Sequence, residues 1–448
     1  MHPDTSNLDY APTSPDAAAV SPSYKWWVVA MLWCICFLNY GDRQAIPAVF
    51  TKLQSEFNLS DTQLGTIGSA FMWIYAFGSP FAGYIADRVR RKDLILGGCF
   101  FWSIVTATTA WCATFQQFVF VRAMEGLGET FYFPASMSLI SDYHGKTTRS
   151  KALAFHQSSV YIGTIAGSWI AALLAEKYNW RLGFYLFGGC GVVLVLILSL
   201  IVREPKRGQS ESAFIAAAPP AEAMSVGQLL TILFAKPTAI LLMLAFLGAN
   251  FVATIFMIWT PLFLTDKFHF KLSTAGLSGA AFINIASAIS TPIAGVLADR
   301  LIRRLAGGRM IIQASGLIFG AAFIYLIGST HSVSTLLTAM VFFGVGKGFY
   351  DSNIFASLYD VIPPTARSTA AGVMNTVGWG GGALGPLAIG YFAQHGAGSK
   401  MDNMSHAIAS TFVIYIFSAL MLILAAIFVS FDRIDDSGAK LADLAVDP

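Results

Sequence analysis

Seven ionisable residues fall inside otherwise apolar stretches: Asp42, Arg43, Arg122, Glu125, Glu129, Lys347 and Asp351. A charge near a bilayer centre costs at least ~2.5–3.5 kcal/mol, so each must pair or face a wet cavity. Arg122, Glu125 and Glu129 stand at i, i+3 and i+7, on one face of a helix. Lys347 and Asp351, at i and i+4, share another. Arg43 has no span-mate except Asp42, which points about 100° away, so the spacing assigns Arg43 to a ligand anion, with which a guanidinium pairs bidentately. The bland alternative is internal pairing: Asp42 or Glu125 with Arg122, and Lys347 with Asp351. Counted along the helices, Arg43 and Arg122 lie at similar depth and Glu129 roughly 10 Å deeper, as a column of charge. The seven sum to −1; protonating Asp42 and Glu129 makes that +1, which favours an organic anion. This is the chemistry of pairing and proton exchange. No G-x-x-x-x-G-K-[ST] loop, metal-ligand cluster or nucleophile–base pair is present, so neither an enzyme, a metal site nor a cofactor is expected. Cys34, Cys36, Cys99, Cys112 and Cys190 lack zinc or redox spacing.

The elements that position these residues follow from composition. The 448 residues are 55% hydrophobic and 12% charged, with mean hydropathy +0.62, against roughly 25% charged in soluble domains. Apolar blocks of about twenty residues match helices crossing a ~30 Å hydrocarbon core. No period-2 alternation supports a barrel, the other structure lipid permits. The chain therefore reads as an all-α polytopic membrane protein. Its spans fall near 26–50, 62–85, 94–112, 116–141, 151–175, 182–202, 238–264, 273–297, 309–328, 332–360, 367–394 and 404–430. Residues 1–24, without a basic n-region, read as a disordered tail, 25–202 as one six-helix half, 203–236 as a linker, 237–431 as the second half and 432–448 as a tail. Of 28 basic residues, 19 fall on one set of loops, 6 on the other and 3 within spans. That bias places both termini in the cytoplasm of a cell membrane, as in a bacterial inner membrane. It also accounts for the charge of +3 without nucleic acid.

The chain repeats itself. Gly83-Tyr-Ile-Ala-Asp87-Arg88-Val-Arg-Arg91-Lys92 and Gly295-Val-Leu-Ala-Asp299-Arg300-Leu-Ile-Arg303-Arg304 both read G-x-x-A-D-R-x-x-R-[KR], 212 residues apart. Gly126-Leu-Gly128-Glu129-Thr-Phe131-Tyr132 lies over Gly344-Val-Gly346-Lys347-Gly-Phe349-Tyr350 at 218, and Asp142, Arg149 and Ser150 match Asp360, Arg367 and Ser368. Two matches at nearly one offset indicate a duplicated six-span unit, with Glu129 and Lys347 equivalent and facing each other across the halves. Such repeats commonly enclose a site near the midplane.

The paired loops resemble the signature of the major facilitator superfamily, and the resemblance covers roughly residues 25–430. It implies two pseudo-symmetric six-helix halves working by alternating access. In these loops the Gly permits close packing, the Asp caps a helix end, and the Arg residues meet helix C-termini and lipid phosphates. Gly83, Asp87, Arg88, Arg91, Asp299, Arg300 and Arg303 are thus expected to latch the outward-open state. Asn39-Tyr40-Gly41-Asp42-Arg43 resembles the N-Y-x-D-R of the anion:cation symporters that import sugar acids. Arg122, Gly126, Gly128, Glu129 and Pro134 match their R-x-x-x-G-x-G-E-x-x-x-x-P. Spinster-like lipid transporters share N-Y-x-D-R and G-x-G-E; Pro134 and Gly380-Gly381-Gly382-Ala-Leu-Gly385-Pro386 favour the symporters. The resemblance implies Arg43 on a substrate carboxylate and Asp42 and Glu129 as proton sites. Glu125 and Lys347 depart from the pattern; Glu125 joins the proton-coupling set, and Lys347 either meets a second acidic group or pairs with Asp351.

In spans that line the cavity of such a fold, Arg122, Tyr40, Tyr75, Tyr132, Gln157, Tyr161, Asn250, Asn284, Tyr350, Asn353, Asn375 and Trp379 are candidates for a hydroxylated ligand. His156 reads as a proton relay or a packing histidine. The expected function is proton-coupled symport of a small organic anion by a monomer in lipid. A spinster-like amphiphile transporter and a transporter-like sensor are the alternatives. Gly163-Thr-Ile-Ala-Gly167-Ser lacks the Pro of the drug–proton antiporters.

Overall fold

The computed structural model describes residues 23–86, 88–145, 147–205, 234–363 and 367–432, and among them every regular element is a helix. The first half comprises α1 (Tyr24–Ala48), α2 (Phe50–Phe57), α3 (Asp61–Ala86), α4 (Arg91–Thr109), α5 (Phe115–Thr130), α6 (Tyr132–Tyr143), α7 (Arg149–Lys177) and α8 (Arg181–Ile201). The second comprises α9 (Pro237–Phe268), α10 (Leu272–Leu301), α11 (Gly308–Ser329), α12 (Val333–Asp351), α13 (Ile354–Tyr359), α14 (Arg367–His395), α15 (Lys400–Ser410) and α16 (Phe412–Asp432). Taking α5–α6, α12–α13 and α15–α16 as single crossings and α2 as a short cap gives twelve spans. Seven are apolar enough to cross a bilayer on length and composition alone. The five that are not include α1 and α5, which hold most of the buried charge.

The duplication is preserved down to single bonds. Thr114 caps α5 by accepting from the Gln117 amide, and Ser332, 218 residues on, caps α12 through Thr335. Arg91 pairs with Asp142, and Arg309 with Asp360 at 2.6 Å. Arg149 donates to the Ser141 carbonyl (3.3 Å) and Arg367 to that of Tyr359 (3.1 Å). Gly126 abuts the Phe71 backbone as Gly344 abuts that of Ile283. These equivalences separate the motif alignment from the pairing at one residue. The repeated motif sets Arg303 opposite Arg91, but the side chain that does the work of Arg91 is Arg309, while Arg303 is exposed. Arg309 also reaches Asp299 at 3.7 Å; Arg88 and Arg300 are exposed. Asp87 lies outside the described residues, as do 1–22, 206–233 and 433–448, and Gly83 sits in the last turn of α3.

Two spans expected to be continuous are broken, at equivalent places. The fourth breaks at Phe131, where Pro134 has no N–H to donate to the Thr130 carbonyl. The tenth breaks at Ser352–Asn353 without a proline. Each break follows the charged residues by one turn or less. At the α1–α7 crossing a Cβ on Gly167 would collide with the Gly41 backbone, and one on Gly163 would lie 2.6 Å from the Phe37 carbonyl oxygen. Only small residues allow helices this close.

The halves meet along α3–α14 and α7–α10. At one end they are tied across: Lys400 bonds Gln54 (2.8 Å) and Asp61 (3.0 Å) of the first half, and Asp266 of its own (3.4 Å). The Ser273 amide donates to Glu176 (2.7 Å) and that of Thr62 to Gln394 (3.3 Å). Beside them Arg181 and Trp180 donate to Glu56, both at 2.7 Å, and the guanidinium lowers the Glu56 carboxyl below its usual range. At the opposite end the Arg91–Asp142 and Arg309–Asp360 pairs each stay within one half.

Candidate functional site

Between the halves lies a cavity of about 240 Å³. Each helix presents one face to it. From α7 come Gln157, Tyr161, Thr164 and Ser168, a stripe at i, i+4, i+7 and i+11; from α9 come Asn250, Thr254, Met257 and Pro261 at the same spacing. α1 adds Tyr40 and Gln44, α10 adds Ile283 and Asn284, α12 adds Phe343, Lys347 and Asp351, and α14 adds Trp379. The amides of Asn250 and Asn284 donate back to Phe246 and Ala280 of their own helices (2.9 and 2.8 Å), which leaves their Oδ1 lone pairs available. Lys347 donates to Asp351 one turn on.

Behind one wall sits a dry cluster. Arg43 Nε donates to Glu129 Oε2, and Arg122 Nη1 to Glu125 Oε2. The Thr106 hydroxyl lies 3.4 Å from both Asp42 Oδ2 and Glu125 Oε1. Carboxylate oxygens of Asp42, Glu125 and Glu129 all fall within 4.8 Å of one another, and no member of the cluster is more than 4% exposed. Three carboxylates face two guanidiniums, so one negative charge lacks a cation among the described residues; Asp42 Oδ1 and Glu129 Oε1 accept no hydrogen bond. The same arginines disfavour a resident metal, because they already hold two of the three carboxylates.

Aromatic rings separate this cluster from the cavity. The Arg43 guanidinium carbon lies 4.7, 4.6, 4.9 and 5.9 Å from the ring centroids of Tyr40, Phe71, Tyr75 and Trp379. Arg122 approaches the Phe71 ring at 5.0 Å. Cation–π contacts of this kind hold a guanidinium in place when it is desolvated. Tyr40 and Trp379 are therefore both cavity wall and lid over Arg43.

Set against the sequence reading, the structure brings Tyr40, Gln157, Tyr161, Asn250, Asn284, Lys347 and Trp379 together on the cavity. It does not place Arg43 or Arg122 there. Spacing along α1 offers Arg43 no partner, but Glu129 reaches it from α5, a tertiary contact that such spacing cannot reveal. The expected column of charge is a compact cluster, because long side chains close the axial offset. Asp42 meets Thr106 instead of Arg122. Glu129 is fully buried against Arg43, so it does not face Lys347 across the cavity. Tyr75 belongs to the cage around Arg43. Tyr132 donates to the Leu32 carbonyl (2.7 Å) and lies 2.8 Å from Nε2 of the buried His156, inside the first half. Tyr350 packs in the core of the second half, and Asn353 and Asn375 lie off the cavity wall. The reading missed Gln44, Thr164 and Ser168. The signal was available, since Gln44 is four residues after Tyr40 and the other two continue the stripe of Gln157 and Tyr161.

The Major Facilitator Superfamily model matches residues 32–386 and 283–443. The chain belongs to this superfamily. It is a multi-pass membrane transporter for small molecules, not an enzyme. Among its relatives is the probable anion transporter 4, chloroplastic, of Oryza sativa subsp. japonica, 27% identical over 397 residues, 85% of this chain and 67% of that protein. Another is protein spinster homolog 1 of Homo sapiens, 30% identical over 372 residues, 78% of this chain and 69% of that protein. In fold, the transporter is similar to a bacterial homolog of the human lysosomal transporter spinster in an inward-facing, unoccupied conformation. That likeness has a TM-score of 0.80 at 22% identity and covers 93% of this chain and all of the other.

Proposed function

We propose that this transporter couples protons to the movement of a small organic anion, by symport. The observation that carries the reading is the buried cluster: three carboxylates against two guanidiniums, one aromatic layer from the cavity. An uncompensated negative charge in a dry site favours proton uptake. A proton on Glu129 removes one negative charge behind the Tyr40–Trp379 wall, so that the Arg43 guanidinium attracts an anion in the cavity through that wall. Proton and anion loading thereby assist each other. Lys400 and its partners hold one end shut, and the Arg91 and Arg309 loops at the other end are the proposed latch of the opposite state. The excess of Lys and Arg on those loops supports their facing the cytoplasm. The test is uptake of labelled sugar acids and monocarboxylates into proteoliposomes under an imposed pH gradient. Accumulation driven by the gradient supports symport; equal uptake with the gradient collapsed by a protonophore overturns it.

A second reading, transport of an amphiphile, is favoured by an apolar arc of Phe256, Met257, Ile283 and Phe343 on the cavity wall and by the spinster relative. Competition of lysolipids for the uptake separates the two.

A further inference from the structure

Among the described residues that line the cavity, Lys347 and Asp351 are the only ones with ionic side chains. They contact each other one turn apart on α12, yet remain 23% and 32% exposed. The cavity wall is therefore electrically neutral, with a positive and a negative group side by side. A ligand bearing only an anion must share the Lys347 ammonium with Asp351, which sets two negative charges against one cation. A ligand carrying a cation beside its anion adds no net charge. Its anionic group lies on the Lys347 ammonium, which has three donors, and its ammonium lies on the Asp351 carboxylate, so that four charges alternate in sign. The Oδ1 atoms of Asn250 and Asn284 offer further acceptors to such an ammonium, and the arc of Phe256, Met257, Ile283 and Phe343 suits an apolar body.

We propose that the cavity binds a zwitterion whose anionic and cationic groups are a few bonds apart, placed antiparallel to the Lys347–Asp351 pair. This rests on the transport reading above and narrows its substrate to an organic anion that also carries an ammonium group. Two sources share that chemistry, a free amino acid and a zwitterionic lipid headgroup.

The test is calorimetric binding to the purified full chain with matched probes: 2-aminohexanoate against hexanoate, and lysophosphatidylethanolamine against lysophosphatidic acid. The zwitterion of at least one pair is expected to bind about tenfold more tightly, the size of one charge-assisted bond, and the pair that shows the preference identifies the source. Asp351→Asn is expected to remove the preference while keeping the anion, and Lys347→Gln to weaken both members. No preference in either pair overturns the proposal without any variant, as does an unchanged preference in Asp351→Asn. These measurements are made without a gradient, so they succeed or fail independently of proton coupling.

Discussion

At equivalent places in the duplicated fold, where Glu129 overlies Lys347, α5 closes its charges into a dry cluster while α12 presents one ion pair to the cavity. The scaffold around them is nearly the same. Thr114 and Ser332 cap the two helices, Arg91–Asp142 repeats as Arg309–Asp360, and each span breaks just beyond its charges. The difference lies in what surrounds the side chains. Arg43 donates to Glu129 and Thr106 lies between Asp42 and Glu125 behind the rings that cage Arg43, whereas Lys347 and Asp351 remain open to the space that Asn250 and Asn284 line. One ancestral plan has thus yielded two electrostatic environments. On the proposed reading, the dry one stores the proton and the wet one recognises the cargo.

The comparison can be broken most directly at Arg43. Arg43→Met leaves Glu129 buried without its cation and is expected to cost about 3–5 kcal/mol, read as a fall in Tm or failure to purify; adding Glu129→Leu should recover most of it. A smaller loss, about 1–3 kcal/mol from overpacking, is expected when Gly167→Val forces α1 from α7, and Ala in place of Val should cost less. Symmetry is sharpened by Arg309→Gln, expected to destabilise by about 1 kcal/mol, as Arg91→Gln should, while Arg303→Gln stays within about 0.5 kcal/mol. The smallest effect is expected at Lys347→Gln, under about 1 kcal/mol because Asp351 is one-third exposed to the cavity. Equal losses at Arg43 and Lys347 in thermal denaturation would erase the contrast between the halves.

Much of this was legible in the chain. Apolar blocks gave the spans, and the offsets of 212 and 218 gave the duplication. The i, i+4 spacing of Lys347 and Asp351 gave a pair that α12 forms within itself. Arg43–Glu129 was hidden because it depends on how α1 and α5 rotate against each other, which no spacing along one helix encodes. Arg309 was hidden for a different reason. The signature motif drew attention to Arg303 at 212, although Asp142 and Asp360 already stood at 218, the offset that also relates Arg91 to Arg309. Pro134 signalled the break in the fourth span, whereas nothing in Ser352–Asn353 announced the break in the tenth.

The central claim is that the dry cluster of the first half couples the proton to transport. Glu129→Gln tests it in proteoliposomes, by comparing gradient-driven accumulation with exchange of labelled for unlabelled substrate. The account predicts that accumulation falls at least about tenfold while exchange persists, because the neutral side chain mimics the protonated state and the cavity is untouched. A Glu129→Gln protein that still concentrates substrate in response to an imposed proton gradient would contradict it.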